Sequence, residues 1–416
     1  MTFPRVGITM NSNPMLIKII NVRLVQYRAI RPAEILIEDG FVRFVAAPGG
    51  LDAYNEQCCP GIRVIDGKNR YVCHGFIDIH THGGGGADYM DGTPEAYITA
   101  ARMHASYGTT GLLPTTLAAS REELIRTFEV YEKVKDQKEG ARFLGLHLEG
   151  PYLSPAQCGA QDLTYIHPPR MEEVRFLVES CPHIRRWTIA PELDGALEMA
   201  EYLRLNDITP SIGHSDATYD EVREAVRHGF NHITHLYSAC STITRRGGYR
   251  YPGIIESAYL LDELTVEVIA DGHHLPAPLL QMVYRFIGPD RTTAVTDSLR
   301  GAGMPEGDSI LGSLQNGQHV IIEDGVCKMP DRKAFAGSVA TTDRLVRNMI
   351  HMAGASLAEA CDMQTRIAAR IIGREDELGV LETGRRADLI LFDDHISVSL
   401  TMVGGTILFE KEGVSK

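Results

Sequence analysis

The stretch Gly75-Phe-Ile-Asp-Ile-His-Thr-His-Gly-Gly-Gly-Gly86 decides the fold. Its apolar run, Phe76 to His82, reads as a buried strand that ends in four glycines, where backbone and ligand can approach closely. Side chains alternate across a strand, so Asp78, His80 and His82 share one face. Two imidazoles at i and i+2 on one face can bind one metal ion together.

Further strands of the same buried type follow at Thr110–Thr116, Arg142–Glu149, Arg186–Glu192, Thr209–His214, His232–Tyr237, Thr265–Asp271 and Thr292–Asp297. Helical segments lie between them. Ser120-x-x-Glu123 and Thr218-x-x-Glu221 are capping boxes, and Thr93-Pro94 offers an N-cap followed by proline at the first helical position. Eight strand–helix units in succession predict an α/β fold, a (β/α)8 TIM barrel, with an open doubly wound sheet as the alternative. Val320–Cys327 reads as a hairpin inserted after the eighth strand, and helices from Ser338 to Gly373 would close the barrel.

The two ends differ from this middle. Leu16–Ile20, Glu34–Glu38 and Phe41–Val45 are short β-like runs, as are Ala387–Asp393 and Leu400–Phe409. Neither end alone has enough strands to be stable, so the two are expected to pair in one small β domain. The expected division is 1–70 and 376–416 for that domain and 71–375 for the barrel. Residues before Met15 read as a loose extension without the apolar core of a signal peptide.

Of 416 residues, 44% are hydrophobic and 23% charged, the balance of a globular chain with a sizeable core. A net charge of -13 argues against nucleic-acid or acidic-membrane partners, and requires a local basic pocket for any anionic substrate. Eight cysteines without a CxxC pair read as reduced thiols of a cytoplasmic protein. No stretch approaches the ~20 apolar residues of a membrane span.

Polar residues gather at the C-terminal ends of the predicted strands, where barrel active sites form. These are His80 and His82, then His147 and Glu149, His214 and Asp216, His235, Asp271 with His273 and His274, and Asp297. Each alone is more often structural. Imidazoles and carboxylates converging from several strands would repel or desolvate one another unless a cation or a proton network compensated. Four imidazoles and a carboxylate (His80, His82, Glu149, His214, His235) suit one or two divalent ions such as zinc or iron(II), with Glu149 bridging. Asp297 then has the place of a general base for a water whose pKa the metal lowers to roughly 7. His147 is expected to support the ligands, and Asp78 to orient a metal-binding histidine.

The motifs GFIDIHTHG, HLEGPYLS, GHSDAT, THLY, IADGHH, VTD and GRRADLILFD together resemble those of the N-acetylglucosamine-6-phosphate deacetylases of the amidohydrolase superfamily. The likeness runs from about Leu16 to about Phe409. It implies a barrel with a β-sandwich domain split between the chain ends, and hydrolysis of an N-acetyl group from an amino-sugar phosphate. It also implies that Glu149, His214 and His235 bind one metal, that His80 and His82 complete a second site, and that Asp297 moves the proton. Ala160, Ser238, Ala239, Arg246, His274, Ala336 and Gly337 match substrate-contacting positions. The arginine would reach in from a neighbouring subunit, which implies a homodimer. Two departures fall on the phosphate pocket. Ser238 stands where the family has asparagine, and Arg245–Gly253 is longer than usual, so either Arg246 or Arg250 is the phosphate arginine. N-acetylgalactosamine 6-phosphate or an unphosphorylated N-acetyl sugar are the alternative substrates.

Overall fold

The computed structural model describes residues 15–411, so the extension before Met15 lies outside the described residues. Eight parallel strands form the barrel: β1 Phe76–Thr81, β2 Thr109–Thr116, β3 Leu146–Glu149, β4 Ile184–Ile189, β5 Thr209–Ile212, β6 His232–Ile233, β7 Thr265–Ile269 and β8 Thr292–Val295. They hydrogen-bond in sequence order, as strand–helix–strand units winding one way round a barrel must. The seam between β8 and β1 closes at the C-terminal end. There Asp297 N–H donates to His80 O (2.9 Å), and His82 N–H donates to Ser298 O (2.9 Å).

Helices follow the strands: α1 Pro94–Ser106, α2 Arg121–Val134, α3 Met171–Ser180, α4 Ala196–Leu205, α5 Tyr219–Arg227, α6 Ile254–Leu260, α7 Ala277–Met282 and α8 Thr342–Asn348. Both capping boxes form. Glu123 N–H donates to Ser120 Oγ (3.2 Å) while the Glu123 carboxylate accepts from Ser120 N–H (3.1 Å). The Glu221 carboxylate likewise accepts from Thr218 N–H (2.7 Å). Among the described residues no helix is long and apolar enough to cross a membrane.

The predicted strand Arg142–Glu149 is broken in two, Arg142–Phe143 and Leu146–Glu149. Gly145 sits between them at φ +138°, and a Cβ there would lie 2.2 Å from the Arg185 side chain and 2.7 Å from His183 O. Only glycine fits this bend, which aims Glu149 at the barrel mouth. The chain ends do pair. One seven-stranded sheet runs in the order Thr406–Glu410, Val398–Val403, Leu389–Phe392, Arg63–His74, Leu16–Gln26, Ala29–Glu38 and Phe41–Ala46. It encloses its own core of Ile17, Ile19, Ile35, Leu389 and Leu400. The hairpin after β8 is half of a larger insertion, a four-stranded antiparallel sheet of Gly307–Leu311, Gln318–Glu323, Val326–Lys328 and Phe335–Ser338.

Trp187 on β4 is fully buried, stacks on Tyr152 (centroids 5.5 Å apart), and donates from Nε1 to Gly150 O (2.8 Å) beside Glu149. Trp187→Ala is expected to cost about 3–5 kcal/mol through the cavity it leaves. The check is the urea unfolding midpoint, and a midpoint equal to the parent's would contradict this packing.

Candidate metal centre and substrate cavity

Six polar side chains meet at the C-terminal mouth of the barrel. His80 lies near the end of β1, His82 just beyond it, and Glu149 ends β3. His214, His235 and Asp297 lie just past β5, β6 and β8, which end at Ile212, Ile233 and Val295 rather than running through these residues as the sequence suggests. The reason is backbone conformation. His214 (φ 48°), His235 (φ 25°) and Asp297 (φ 44°) all turn into the left-handed region, where no β-strand continues. A non-glycine residue held there costs on the order of 1–3 kcal/mol, and such strain clusters at functional sites.

Two groups of ligand-type atoms result: His80, His82 and Asp297 in one, Glu149, His214 and His235 in the other. Glu149 touches both. Its Oε1 lies 3.2 Å from His214 Nε2, 3.0 Å from His235 Nε2 and 3.4 Å from His80 Nε2, and its Oε2 lies 3.3 Å from His82 Nε2. Asp297 Oδ1 lies 3.2 Å from His82 Nε2 and 3.4 Å from His80 Nε2.

The far sides of the rings fix their tautomers. His214 Nδ1 donates to Gln157 O (2.9 Å) and His235 Nδ1 to Ser238 O (3.1 Å), since a carbonyl only accepts. His80 Nδ1 donates to Glu267 Oε1 (2.7 Å). A ring held in this way by its Nδ1 proton, when neutral, turns an Nε2 lone pair inward. The inward nitrogens crowd one another, with His214 and His235 Nε2 3.2 Å apart and His80 and His82 Nε2 3.3 Å apart, and they also face carboxylate oxygens. Groups that only accept cannot hold one another. Either protons or cations must sit among them, and three imidazoles or carboxylates per position is the donor set of a divalent transition metal. Without metal, protons serve. Burial pushes the His82 imidazole down, but Asp297 and Glu149 outweigh it and raise its pKa to about 9. Burial likewise opposes ionisation of Asp297, but His80 and His82 hold its carboxyl below the usual range.

Beside this cluster lies a cavity of about 390 Å³. It is lined by Ala160, Ser238, Ala239, His274, Ala336 and Gly337, together with His82, Glu149, His214, His235 and Asp297. Arg246 is not among its walls. It is exposed on the hairpin Thr244–Arg246/Tyr249–Tyr251, with its guanidinium 5.5 Å from the Tyr251 ring centre, and Arg250 is exposed on the same hairpin. Among the described residues no arginine or lysine lines the cavity. His274 is held by Asp271, whose Oδ2 accepts from His274 Nδ1 (2.7 Å), and its ring packs 4.9 Å from Phe335.

Supporting groups depart in part from expectation. His147 packs edge-on against His80, with centroids 4.6 Å apart, and bonds Thr188 Oγ1 (2.7 Å). Asp78 does not orient a histidine ring. It accepts from Thr296 Oγ1 (2.6 Å), tying β1 to β8, and burial raises its pKa to about 7. Glu267 does the orienting instead, on an otherwise apolar strand, with Arg186 paired to it inside the barrel. Burial pushes the Glu267 carboxyl up, but Arg186 and His80 outweigh it and hold it well below the usual range. Gln161 was also missed: its Nε2 donates to Glu149 Oε2 (2.7 Å) and its Oε1 accepts from Ala118 N–H (2.8 Å). The signal for Glu267 and Arg186 was a charge inside a buried strand, Val266-Glu-Val268 and Arg186-Trp187; Gln161 carried none.

The Amidohydrolase family model matches residues 71–408. An N-acetylglucosamine-6-phosphate deacetylase of Lysinibacillus sphaericus is 32% identical over 349 residues, 83% of this chain and 88% of that protein. An N-acetylgalactosamine-6-phosphate deacetylase of Escherichia coli O157:H7 is 29% identical, over 88% of this chain and 97% of that one. Among solved structures, a mutant N-acetyl-D-glucosamine-6-phosphate deacetylase of Mycobacterium smegmatis, in complex with N-acetyl-D-glucosamine-6-phosphate, superposes with a TM-score of 0.85 at 28% identity. That match covers 96% of this chain and all of the other.

Metal uptake must displace the proton that His82, with a pKa of about 9, carries at pH 7. Zinc added to the metal-free protein at pH 7 is therefore expected to release at least one proton. Affinity should rise about tenfold per pH unit for each proton displaced as pH climbs from 7 towards 9. Calorimetry in two buffers of different ionisation enthalpy checks this, and proton-neutral uptake would contradict it.

Proposed function

This chain belongs to the amidohydrolase family, on its N-acetylglucosamine-6-phosphate deacetylase branch, and from that premise we propose that it hydrolyses N-acetylglucosamine 6-phosphate to glucosamine 6-phosphate and acetate. The observation that carries this is the ring of inward-facing acceptors, buried at the barrel mouth and open to one cavity. Glu149, His214 and His235 would hold one ion and His80 and His82 a second, zinc or iron(II) being suited to such ligands. When bound, the metal polarises the acetyl carbonyl and makes water acidic enough to supply hydroxide near neutral pH.

Asp297 takes the proton from the attacking water and delivers it to the leaving nitrogen as the C–N bond breaks. Its side chain is 12% exposed, against 3% or less for His80, His82 and Glu149, so it is the more open of these groups to a water in the cavity. Its ionised form is the favoured one, as a base requires. His274, fixed by Asp271, and the backbone around Ser238–Ala239 and Ala336–Gly337 offer hydrogen bonds to a sugar. The phosphate needs a cation that the cavity walls do not provide. Arg246 or Arg250, exposed on a projecting hairpin, would supply it to the cavity of a second copy, making the enzyme a homodimer. Free thiols at all eight cysteines fit a reducing cytoplasm.

N-acetylgalactosamine 6-phosphate is the second reading. It is favoured by the Escherichia coli relative, an N-acetylgalactosamine-6-phosphate deacetylase.

Acetate release from phosphorylated and free N-acetyl sugars, with metal quantified, tests the reading. N-acetylglucosamine 6-phosphate is expected to give the highest kcat/KM, and preference for a free sugar would remove the phosphate. Asp297→Asn should lower kcat by about 10²–10⁴-fold with metal retained, and near-parental turnover would discard it as the base. Arg246→Ala should raise KM for the phosphorylated substrate about 10-fold or more, the scale of a lost charge-assisted pair. An unchanged KM would pass the role to Arg250.

A further inference from the structure

The barrel interior holds a polar layer directly beneath the metal ligands. Glu267 on β7 and Arg186 on β4 are both fully buried and paired. Arg186 spends its other donors on Ser211 Oγ (2.9 Å) from Nε, Thr234 Oγ1 (2.7 Å) from Nη2, and Ile79 O (3.3 Å) from Nη1. The guanidinium thus joins four strands and leaves Glu267 one fixed orientation. His232 Nε2 lies 3.3 Å from Glu267 Oε2, on the same side as Arg186.

The other oxygen carries the inference. Glu267 Oε1 accepts from His80 Nδ1–H (2.7 Å) and from the backbone N–H of His235 (3.0 Å). His80 belongs to one ligand group and His235 to the other. The first bond fixes which His80 nitrogen faces the mouth. The second pins the backbone of His235 at its left-handed turn (φ 25°), and so the direction of its ring. We propose that Glu267 is a positioning residue that couples the two metal positions, one carboxylate oxygen holding a ligand of each. This rests on the metal centre proposed above and assigns Glu267 no contact with substrate.

Glu267→Met is the probe, because it keeps the length of the side chain and removes the acceptor that His80 Nδ1 and His235 N share. Glutamine would not serve, since its carbonyl could stay on both donors while its NH2 turned towards Arg186 Nη1 and His232 Nε2. Zinc would be titrated into chelator-stripped full-length protein against a chromophoric competitor, in the parent background and in His80→Asn/His82→Asn, where one ligand group is gone. In the parent, E267M is expected to weaken both zinc affinities by about 10–100-fold, the usual cost of losing a group that orients a metal ligand. In the double-Asn background, the remaining position should still weaken about 10-fold, because His235 has lost its acceptor. Should E267M fail to fold by circular dichroism, E267D, which keeps the charge and withdraws the oxygen by one methylene, carries the same test.

Unchanged affinity in the double-Asn background would overturn the coupling and leave Glu267 serving His80 alone. Unchanged affinity in both would overturn any positioning role. A parent protein that takes up no zinc would overturn the metal centre itself. Zinc uptake that follows the expected pattern, in a protein that releases no acetate from any sugar, would support the coupling while removing the deacetylase reading.

Discussion

Hydrogen-bond acceptors packed against one another, where bulk water cannot separate them, are the constraint on which this fold turns. Glu149 Oε1 sits within 3.4 Å of three imidazole nitrogens, two of which have their protons committed to carbonyls on the far side of the ring and the third to Glu267. Left without positive charge, such a cluster would cost several kcal/mol in desolvated, unpaired acceptors. The barrel tolerates it because its strands arrive at the mouth from all sides. The seam bonds between Asp297 N–H and His80 O, and between His82 N–H and Ser298 O, lock the last strand to the first. Residues that close the cylinder therefore belong to the cluster itself, and a loosened seam would disperse it.

The layer below is costly by the same logic. A buried arginine–glutamate pair rarely adds stability over well-packed apolar residues of similar volume. The barrel floor nonetheless keeps Arg186 and Glu267 with their hydrogen bonds made, beside residues such as Val266 and Val268 that show what an apolar filling would look like. Orientation accounts for their presence better than stability does. A ring nitrogen whose proton is fixed by a carboxylate presents its lone pair without a tautomer to sort, which strengthens it as a ligand.

Much of this was legible in the sequence because period and position are local properties. Apolar runs, capping boxes at Ser120 and Thr218, and histidines at strand ends located the barrel and the six residues at its mouth. Strand ends were less legible. His214, His235 and Asp297 read as the tails of strands, whereas each turns to positive φ, a conformation that tertiary contacts impose and that composition does not advertise for histidine. The break at Gly145 was hidden for a similar reason, since the clash with Arg185 that demands glycine is a contact between strands. Glu267 and Arg186 looked like isolated charges, because their meaning lies in partners 81 positions apart in the chain. The four-stranded insertion was seen only at its tight Asp324-Gly325 turn, its outer strands being short and partly exposed.

Charge sets the last condition on the proposed reaction. Among the described residues the cavity walls carry two carboxylates, Glu149 and Asp297, and no arginine or lysine. Divalent ions held by the cluster would offset those carboxylates at the acetyl end of the proposed substrate. A phosphate dianion at the other end would then meet an acidic protein with nothing to pair it. Screening over a Debye length of about 8 Å leaves distant charges little help, so the cation must come within contact range. The arginines of the Thr244–Tyr251 hairpin stand clear of their own cavity, with Arg246 resting against Tyr251 and exposed to solvent. A residue so placed serves a phosphate only across a subunit boundary or after the hairpin folds inward. The first route, the one proposed above, costs no rearrangement of the fold described.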